Sequence, residues 1–359
     1  MINVVHILED FSFLSGGLRT VVYDLHSKLI ENKINSKIIT TRKEKNDDVI
    51  LVKGGQSPWR FSSNLILELK KLQKNNKVNI IHIHGVWMYP QYIAAKFAYK
   101  NQIPFIITCH GMYEPWLWLK GKFRKENYFK YVTKQIFSKA NYIHAITPPE
   151  AKELKKLFPN NKIKTIPNLI DFKDEKVYDS NLNEKYILYL GRIDKKKGID
   201  ILLKAFARLK ENSFSLKIAG GNNDYKEELL TLAKELNIES KVEFLGLVVG
   251  NEKEKLFRNA YAFVAPSHSE VIGMVNLEAA SKQTPVVTTY QTGLDKNWSK
   301  NGGFLINPNE DELFVELEKI INWSISERNL NGKKLNLFVK ENYSWNIRIK
   351  DWKELYNSI

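Results

Sequence analysis

The chain has 359 residues, enough for two domains of ordinary size, and its 43% hydrophobic and 26% charged residues are typical of a globular protein. Its single cysteine, Cys109, excludes an intrachain disulfide and fits a reducing compartment. No apolar run approaches the roughly 20 residues that a transmembrane helix needs. We see no signal peptide at the N-terminus, and we therefore expect a cytoplasmic protein.

The formal net charge of +15 predicts an anionic partner. Nucleic acid, an anionic membrane surface and phosphorylated substrates all meet that description. A high content of Lys, Asn and Ile would also follow from an AT-rich genome. Composition alone does not separate these causes.

The first half of the chain predicts a doubly wound α/β domain. An apolar strand at residues 2–8 is followed by Gly16-Gly17 and by an amphipathic helix from about Leu18. Strand, glycine loop and helix are the usual opening of such a domain. Further apolar runs alternate with helical or polar segments, as parallel βα units do, at residues 37–40, 79–84, 105–109, 142–147 and 164–166.

A second α/β series follows a polar segment, residues 172–184, that we interpret as an interdomain linker. We predict a strand at 186–190, a helix from Gly198 to about Lys210, a strand at 216–219, a helix around 225–236 and a strand at 242–245. A unit at 262–289 completes the series. The tail from Asn342 to Ile359 is predicted to be helical.

Residues 262–289 predict a strand, a loop, a helix and a second strand, with one carboxylate in the loop and one in the helix. Glu270 follows the first strand, and Glu278 lies one to two turns inside a helix that begins near Gly273. A helix N-terminus offers free backbone N–H groups and a positive dipole end, so it suits a phosphate. The flanking carboxylates suit sugar hydroxyls. The structural alternative is an ordinary amphipathic helix with two surface glutamates.

A basic loop leaves the strand at 186–190 and leads into the next helix. Arg192 and Lys197 bracket it, with Gly191 and Gly198 at its ends. The glycines allow close approach of a ligand to the backbone, and a guanidinium with an ammonium suits the two phosphates of a nucleotide diphosphate. The alternative is a solvated basic turn.

His110-Gly111 stands at the end of a predicted strand in the first domain. Ligands of open α/β sheets bind at the carboxyl ends of the strands, which makes His110 a candidate for a ligand contact. His84-Gly85 ends an earlier strand and is a weaker candidate. Gly16-Gly17 also follows a strand, although tight turns use the same residues.

Glu270-x7-Glu278, the Gly-Arg…Lys-Gly loop and His110 together closely resemble the signature of the retaining GT-B glycosyltransferases of GT4 type, the glycosyl transferases group 1. The family usually has Glu-Gly-Phe-Gly where this chain has Glu270-Val271-Ile272-Gly273, which leaves the donor sugar open. The resemblance implies an α/β GT-B fold with two Rossmann-like domains facing a central cleft. We expect an acceptor-side domain over residues 1–170, with the helix at 342–359 packing back on it, and a donor domain over residues 171–341.

The resemblance also implies roles for the site residues. Glu270 and His110 would be the catalytic residues that contact the transferred sugar, and Glu278 would hold the ribose. The donor diphosphate would be bound by Arg192, Lys197, Gly273, Met274, Val275, Gly16 and Gly17. Neither a metal nor a cofactor is expected beside the nucleotide-sugar co-substrate, and the sequence shows no D-x-D, G-x-G-x-x-G or P-loop motif.

Residues 114–142 interleave aromatic and basic residues. Such a pattern is typical of an element that lies on an anionic membrane surface, where it would bring a lipid-linked acceptor to the protein. A core-facing aromatic stripe with a solvated basic face explains it equally well. The aromatic residues are Trp116, Trp118, Phe123, Tyr128, Phe129 and Tyr131, and the basic residues are Lys120, Lys122, Arg124, Lys125 and Lys130.

We therefore expect a retaining glycosyltransferase that moves a sugar from a UDP- or GDP-sugar to an acceptor hydroxyl. The resemblance suggests bacterial surface polysaccharide or lipopolysaccharide assembly on a lipid-linked acceptor, at the cytoplasmic face of the inner membrane. Two alternatives stay open. One is a nucleotide-sugar-binding or epimerase protein on the same scaffold, and the other is a basic nucleic-acid-binding protein, for which the carboxylate pair would have no task.

Overall fold

The computed structural model describes residues 2–12, 15–43, 49–54, 57–119, 121–172, 184–209, 213–221 and 223–359, with Trp116 and Leu119 described in their backbone only. The chain divides into two compact units. The first comprises Met1–Asn168 and Ile349–Ile359, and the second comprises Leu169–Arg348. Most of the predicted linker, residues 173–183, lies outside the described residues.

The first unit is built on a parallel sheet of seven described strands. They are β1 (Asn3–Leu8), β2 (Asn35–Thr40), β3 (Val49–Leu51), β4 (Ile80–His84), β5 (Phe105–Thr108), β6 (Tyr142–Ala145) and β7 (Ile163–Thr165). Their order is β3-β2-β1-β4-β5-β6-β7, so the chain reverses its progression across the sheet between β1 and β4. The central strands are nearly continuous buried apolar runs because helices cover both faces of such a sheet.

The helices of the first unit alternate with its strands. They are α1 (Gly17–Glu31), α2 (Asn64–Lys74), α3 (Tyr89–Lys100), α4 (Pro115–Leu119), α5 (Lys122–Tyr128), α6 (Lys134–Phe137) and α7 (Pro148–Leu157), with a π-helical turn at Phe129–Thr133. Among the described residues, no helix combines the length and hydrophobicity that crossing a bilayer requires.

The second unit repeats this architecture with six described parallel strands. They are β8 (Tyr186–Leu190), β9 (Ser215–Ala219), β10 (Val242–Gly246), β11 (Ala262–Ala265), β12 (Val286–Thr289) and β13 (Phe304–Ile306). Their order is β10-β9-β8-β11-β12-β13, so here the progression reverses between β8 and β11. The helices are α8 (Ile199–Ala207), α9 (Asp224–Glu235), α10 (Gly250–Asn259), α11 (Met274–Ser281), α12 (Glu310–Ile321) and α13 (Ile325–Tyr343).

The C-terminal part of the second unit is larger than the sequence pattern indicates. The individually predicted elements end at residue 289, although the donor domain was expected to extend to residue 341, and the structure fills this part with β13, α12 and the 19-residue helix α13. The buried face of α13 includes Arg328 and Gly332, so the sequence of this helix lacks a continuous apolar stripe. Burial of Arg328 is tolerated because its guanidinium donates to the carbonyl oxygens of Ala260 at 2.7 Å and Tyr261 at 3.3 Å.

The tail is two helices, where the sequence predicts one from Asn342. The break falls at Ser344, whose extended backbone pairs with Ile170 through bonds from Ile170 N to Tyr343 O at 2.9 Å and from Trp345 N to Ile170 O at 3.2 Å. The last helix, α14 (Trp345–Asn357), carries Trp352 and Tyr356 against the sheet of the first unit.

Candidate active site

Two loops of the second unit meet where its sheet reverses. One follows β8 and the other follows β11, and the two strands are parallel neighbours. The backbone N–H of His268 donates to the carbonyl oxygen of Lys196 at 2.8 Å. Gly198 has a φ of +66°, and a Cβ at this position would overlap the carbonyl oxygen of Pro266. Only glycine satisfies both conditions, so Gly198 lets the two loops close on each other.

Lys197 and Glu270 form an ion pair across these loops. The Lys197 ammonium donates to Glu270 Oε1, and the two side chains are 14% and 19% exposed. Lys197 ends a 3₁₀ turn that Asp194 caps by accepting from Lys196 N at 2.9 Å. The backbone N–H of Glu270 donates to Gln291 O at 2.9 Å, which ties the loop to the segment after β12. The structure therefore holds both predicted residues at one edge of the sheet, partly shielded from water.

Helix α11 starts beside this pair. Gly273 is its N-cap, and Met274 and Val275, both half-buried, form its first turn. Asn276 is buried under that turn and donates to Thr288 Oγ1 at 3.2 Å, while its Oδ1 has no partner among the described residues. The first N–H groups of a helix lack intrahelical acceptors, so this end can bind an anion.

Glu278 and Arg192 lie at the margins of this arrangement. Glu278, on α11, forms an ion pair with Lys253 of α10 at 2.7 Å and is 34% exposed. The side chain of Arg192 is exposed, while its carbonyl oxygen accepts from the hydroxyl of Tyr189 at 2.7 Å. The loop is thus anchored by its backbone, and the guanidinium stays available to a ligand.

In the first unit the predicted site residues follow β1 and β5. Gly16, with a φ of +60°, and Gly17 are exposed, and a Cβ on either would meet no atom of the described residues within 4 Å. His110 is half-buried and has a φ of +51°, which lies in the left-handed region that residues other than glycine adopt uncommonly. Such strain persists only when the surroundings enforce it, and it is common at functional sites.

Glu150 anchors the loop that contains His110. Its carboxylate accepts from Gly111 N and from Ile146 N, both at 2.6 Å, and burial raises its pKa to about 7. Glu150 was not among the predicted site residues. Its signal is the helix start Thr147-Pro-Pro-Glu150, in which Thr147 Oγ1 accepts from Glu150 N at 3.3 Å.

Glu9 is a second residue that was not among the predicted site residues. It follows β1 at the reversal of the first sheet, and its carboxylate accepts from Gln91 Nε2, which also donates to His84 O at 2.9 Å. Burial raises the pKa of Glu9. A carboxylate directly after the first buried strand is the signal that could have identified it.

His110 belongs to a cluster of five buried or half-buried histidines. Its members come from β1, β4, the end of β5, and β6, and they are His6, His82, His84, His110 and His144. Desolvation lowers the pKa of His6 and of His110 to about 3, and that of His144 to about 4. These side chains are therefore neutral at pH 7.

Three histidines of the cluster are close enough together to hold a metal ion. In the described part of the chain, ring nitrogens of His6, His82 and His84 lie within 4.8 Å of one another, which sequence spacing does not reveal. Both nitrogens of His82 already have hydroxyl partners, Tyr356 and Thr108, each at 2.7 Å. A metal ion bound through either nitrogen of His82 would have to displace one of these hydrogen bonds. That no metal is needed stays a prediction.

The aromatic–basic stretch divides between core and surface. Trp118 stacks on Tyr113 with ring centroids 5.7 Å apart and packs against the core, and Phe129 is buried. Phe123 and Tyr131 are 78% and 63% exposed. The side chain of Trp116 and residue Lys120 lie outside the described residues. Trp118 therefore does not belong to a membrane-facing surface.

Two Rossmann-like units with candidate ligand residues at their strand ends define a GT-B fold. Residues 171–335 match the family of glycosyl transferases group 1, and residues 15–174 match glycosyltransferase family 4. The two matches together span most of the chain. The chain belongs to this group of glycosyltransferases and is an enzyme of that class.

Relatives and solved structures agree with this assignment. An uncharacterized glycosyltransferase of Methanocaldococcus jannaschii is 26% identical over 78% of this chain and 75% of its own length. An uncharacterized 41.2 kDa protein in the cps region of Klebsiella pneumoniae is 26% identical over 88% of both chains. The O-antigen chain mannosyltransferase RfbU of Salmonella typhimurium is 26% identical over 59% of this chain and 58% of its own.

The fold resembles solved glycosyltransferase structures over its whole length. A glycosyltransferase from Rickettsia africae has a TM-score of 0.80 at 17% identity, covering 99% of this chain and 98% of its own. Anabaena HepE, crystallised in complex with UDP and glucose, has a TM-score of 0.79 at 16% identity, covering all of both chains. At these identities the likeness concerns the fold.

Proposed function

We propose that this glycosyltransferase takes its sugar from a nucleotide-diphosphate donor, a UDP- or GDP-sugar, and transfers it with retention at the anomeric carbon. The observation that carries the proposal is the Lys197–Glu270 ion pair beside the N-terminus of α11. A cation, a carboxylate and a helix N-terminus at one sheet edge match a diphosphate joined to a sugar. HepE, a structural neighbour, is known in complex with UDP and glucose.

In the proposed mechanism the protein stabilises the charge that develops on the leaving diphosphate. Arg192, Lys197 and the backbone N–H groups near Gly273 supply preorganised positive charge, which is often the largest catalytic contribution in such a site. Glu270 orients the sugar when a donor enters and exchanges its contact with Lys197 for sugar hydroxyls. Glu278, which pairs with Lys253 in the free enzyme, holds the ribose in the same way.

For the acceptor we propose a lipid-linked glycan of bacterial surface polysaccharide or lipopolysaccharide assembly. Two relatives support this class: RfbU by its name, and the Klebsiella protein by its position in a cps region. The exposed side chains of Lys122, Phe123, Arg124 and Tyr131 offer cations and aromatic rings on one short stretch of the first unit. Such a surface fits an anionic bilayer.

A donor panel tests the proposal. Thermal unfolding of the full chain is measured with saturating UDP-, GDP- and ADP-sugars, because a ligand that binds only the folded state raises the midpoint by mass action. We expect one donor class to stabilise the protein. NMR spectra of the product formed with a saccharide acceptor should then show the anomeric configuration of the donor.

Three results would contradict the proposal. The first is that no nucleotide sugar shifts the midpoint, and the second is that the product has inverted configuration. The third is conversion of the donor into an epimer without transfer, which would favour the epimerase alternative.

A further inference from the structure

Three imidazoles form a continuous hydrogen-bonded chain that ends at His110. The Nε2 of His110 lies 3.0 Å from Nδ1 of His84, and the Nε2 of His84 lies 2.9 Å from Nδ1 of His6. His6 comes from β1, His84 from the end of β4, and His110 from the loop after β5. The chain thus crosses the reversal of the sheet, where β1 and β4 are neighbours.

The two inner members of the chain are shut off from water. His6 and His84 are at most 1% exposed, whereas His110 is half-buried and reaches the surface. In a neutral imidazole one nitrogen donates and the other accepts. The direction chosen at one link therefore determines the direction at the next.

The inner end of the chain decides between the two directions. The Nε2 of His6 is buried and has no partner among the described residues. If the rings donated from Nε2, His6 would hold a buried N–H with no acceptor, which is rare in folded proteins. If they donate from Nδ1, only the lone pair on Nε2 of His6 stays unpaired. Every N–H of the chain except the outermost then has an acceptor. That outermost N–H is the Nδ1–H of His110.

We propose that His84 and His6 are positioning residues that hold His110 as the Nδ1–H tautomer, with this N–H directed away from the chain to donate to an oxygen of a bound ligand. The inference rests on the proposed function only in the identity of that oxygen. The tautomer itself is a property of the free protein. A merely structural role for His84 would fill space without fixing a proton.

The tautomer can be read directly by NMR. The full chain is labelled with ¹⁵N-histidine, and two-bond ¹H–¹⁵N spectra at pH 7 distinguish protonated from bare ring nitrogens. The His110 signals are assigned by their loss in His110→Gln. We expect a protonated Nδ1 and a bare Nε2. An Nε2–H form or an even mixture of tautomers in the wild-type protein would overturn the proposal whatever the activity.

Substitutions of His84 test the coupling. His84→Leu removes the donor to His110 Nε2, and His110 should shift toward a mixture of tautomers with a fall in kcat/KM on the order of tenfold, the effect of one neutral hydrogen bond. His84→Asn places an amide N–H near the position of Nδ1 and should keep the wild-type tautomer, with kcat/KM within about threefold. If the leucine variant fails to fold, the asparagine variant and His6→Leu carry the same test.

The matched control is His26→Leu. His26 is also buried, bonds to Ser36 Oγ at 2.8 Å and lies outside the chain, so its loss should leave the His110 spectrum unchanged. An unchanged His110 tautomer in both His84→Leu and His6→Leu would contradict the proposal. Stoichiometric binding of added Zn²⁺ that shifts His6 and His84 together would also contradict it, because the cluster would then be a metal site. Normal tautomer results with no transferase activity would instead count against the proposed function alone.

Discussion

Lys197 and Glu270, 73 residues apart in the chain, form an ion pair at the carboxyl ends of the neighbouring strands β8 and β11. Contacts among the segments after β8, β11 and β12 hold the pair in place. Gly198 packs against Pro266, and backbone hydrogen bonds join His268 to Lys196 and Glu270 to Gln291. Their placement follows from parallel strand order, which gathers strand ends at one edge. The pair is consequently the most direct target for mutagenesis.

Lys197→Gln should lower kcat about 100-fold or more with a smaller change in the KM for the donor. The lost ammonium would stabilise the leaving diphosphate most strongly in the transition state, and single groups of this kind contribute about 10²- to 10³-fold. Steady-state kinetics measure both constants. Lys195→Gln is the control, since Lys195 lies in the same turn but is 70% exposed and pairs with Glu228 at the surface. Equal losses in both variants would assign the effect to net charge.

Glu278→Gln should raise the KM for the donor about tenfold and leave kcat nearly unchanged. A hydrogen bond to the ribose is remote from the reacting bond and would contribute equally to ground and transition states. Lys253→Met, which removes the ion-pair partner of Glu278, separates ribose binding from the ion pair. A kcat effect in Glu278→Gln that exceeds its KM effect is inconsistent with this role.

Gly198→Ala should destabilise the second unit by at least about 2 kcal/mol, since it combines a left-handed backbone with overlap on the Pro266 carbonyl. Gly246→Ala is the matched control. Gly246 has a φ of +71°, but a Cβ there meets no atom of the described part of the chain within 4 Å, so we expect only the backbone cost of about 1–2 kcal/mol. Urea unfolding compares the two, and an equal loss in both would mean that the loop contact contributes nothing.

Stability should fall as the pH falls from about 6.5 toward 4. The folded-state pKa values of His6 and His110, about 3, and of His144, about 4, lie below the unfolded value of 6.5. In this window the unfolded chain binds protons that the folded chain does not, so each histidine adds a slope approaching about 1.4 kcal/mol per pH unit.

Other groups of the cluster modify this pH dependence. Glu150 has the opposite effect on stability. Because its pKa is raised to about 7, proton binding by Glu150 stabilises the folded state as the pH falls from 7 toward the usual value of 4.5. His82 and His84, whose pKa values burial also lowers, reinforce the loss at low pH, and Tyr356 stays neutral throughout. Urea midpoints at pH 7.5 and 5.0 measure the net effect, which His6→Leu should reduce. A midpoint that rises on acidification would contradict the assignment of neutral buried histidines.

Much of the fold was predictable because it rests on local patterns. Buried parallel strands are continuous apolar runs, so strands such as β8 and β11 were found within one or two residues. Helix α13 and strand β13 escaped because the buried face of α13 includes Arg328 and Gly332, and because β13 has only three residues. The carbonyl acceptors that make a buried arginine tolerable are visible only in the folded chain.

The placement of Glu270 in a loop and of Glu278 in the following helix was predictable because the two residues are close in sequence, while their roles stay predictions. The histidine cluster was not predictable, since His6, His84 and His110 come from three segments that only the strand order β1-β4-β5 brings together. Glu150 and Glu9 were missed for the same reason, because their function depends on the backbone and side chains they meet across the sheet.

If the first unit contacts an anionic membrane as proposed, the exposed basic and aromatic side chains of α5 and the following turn should contribute to vesicle binding. A variant with Lys122→Glu, Phe123→Ser, Arg124→Glu and Tyr131→Ser should bind anionic vesicles at least tenfold more weakly in co-sedimentation, since each cation near the surface contributes about 1 kcal/mol. The control makes equivalent changes on α13, at Leu330, Lys333, Lys334 and Leu337, which are also exposed. Equal binding by both variants would remove the hypothesis.

Calorimetric titration of UDP and GDP into the metal-free full chain shows whether the second unit binds a nucleotide diphosphate. We expect one nucleotide-diphosphate site, with affinity reduced at least tenfold in Lys197→Gln and unchanged in Lys195→Gln. Binding that is insensitive to Lys197, or no binding of either nucleotide, would contradict a donor site built on the Lys197–Glu270 edge of the second sheet.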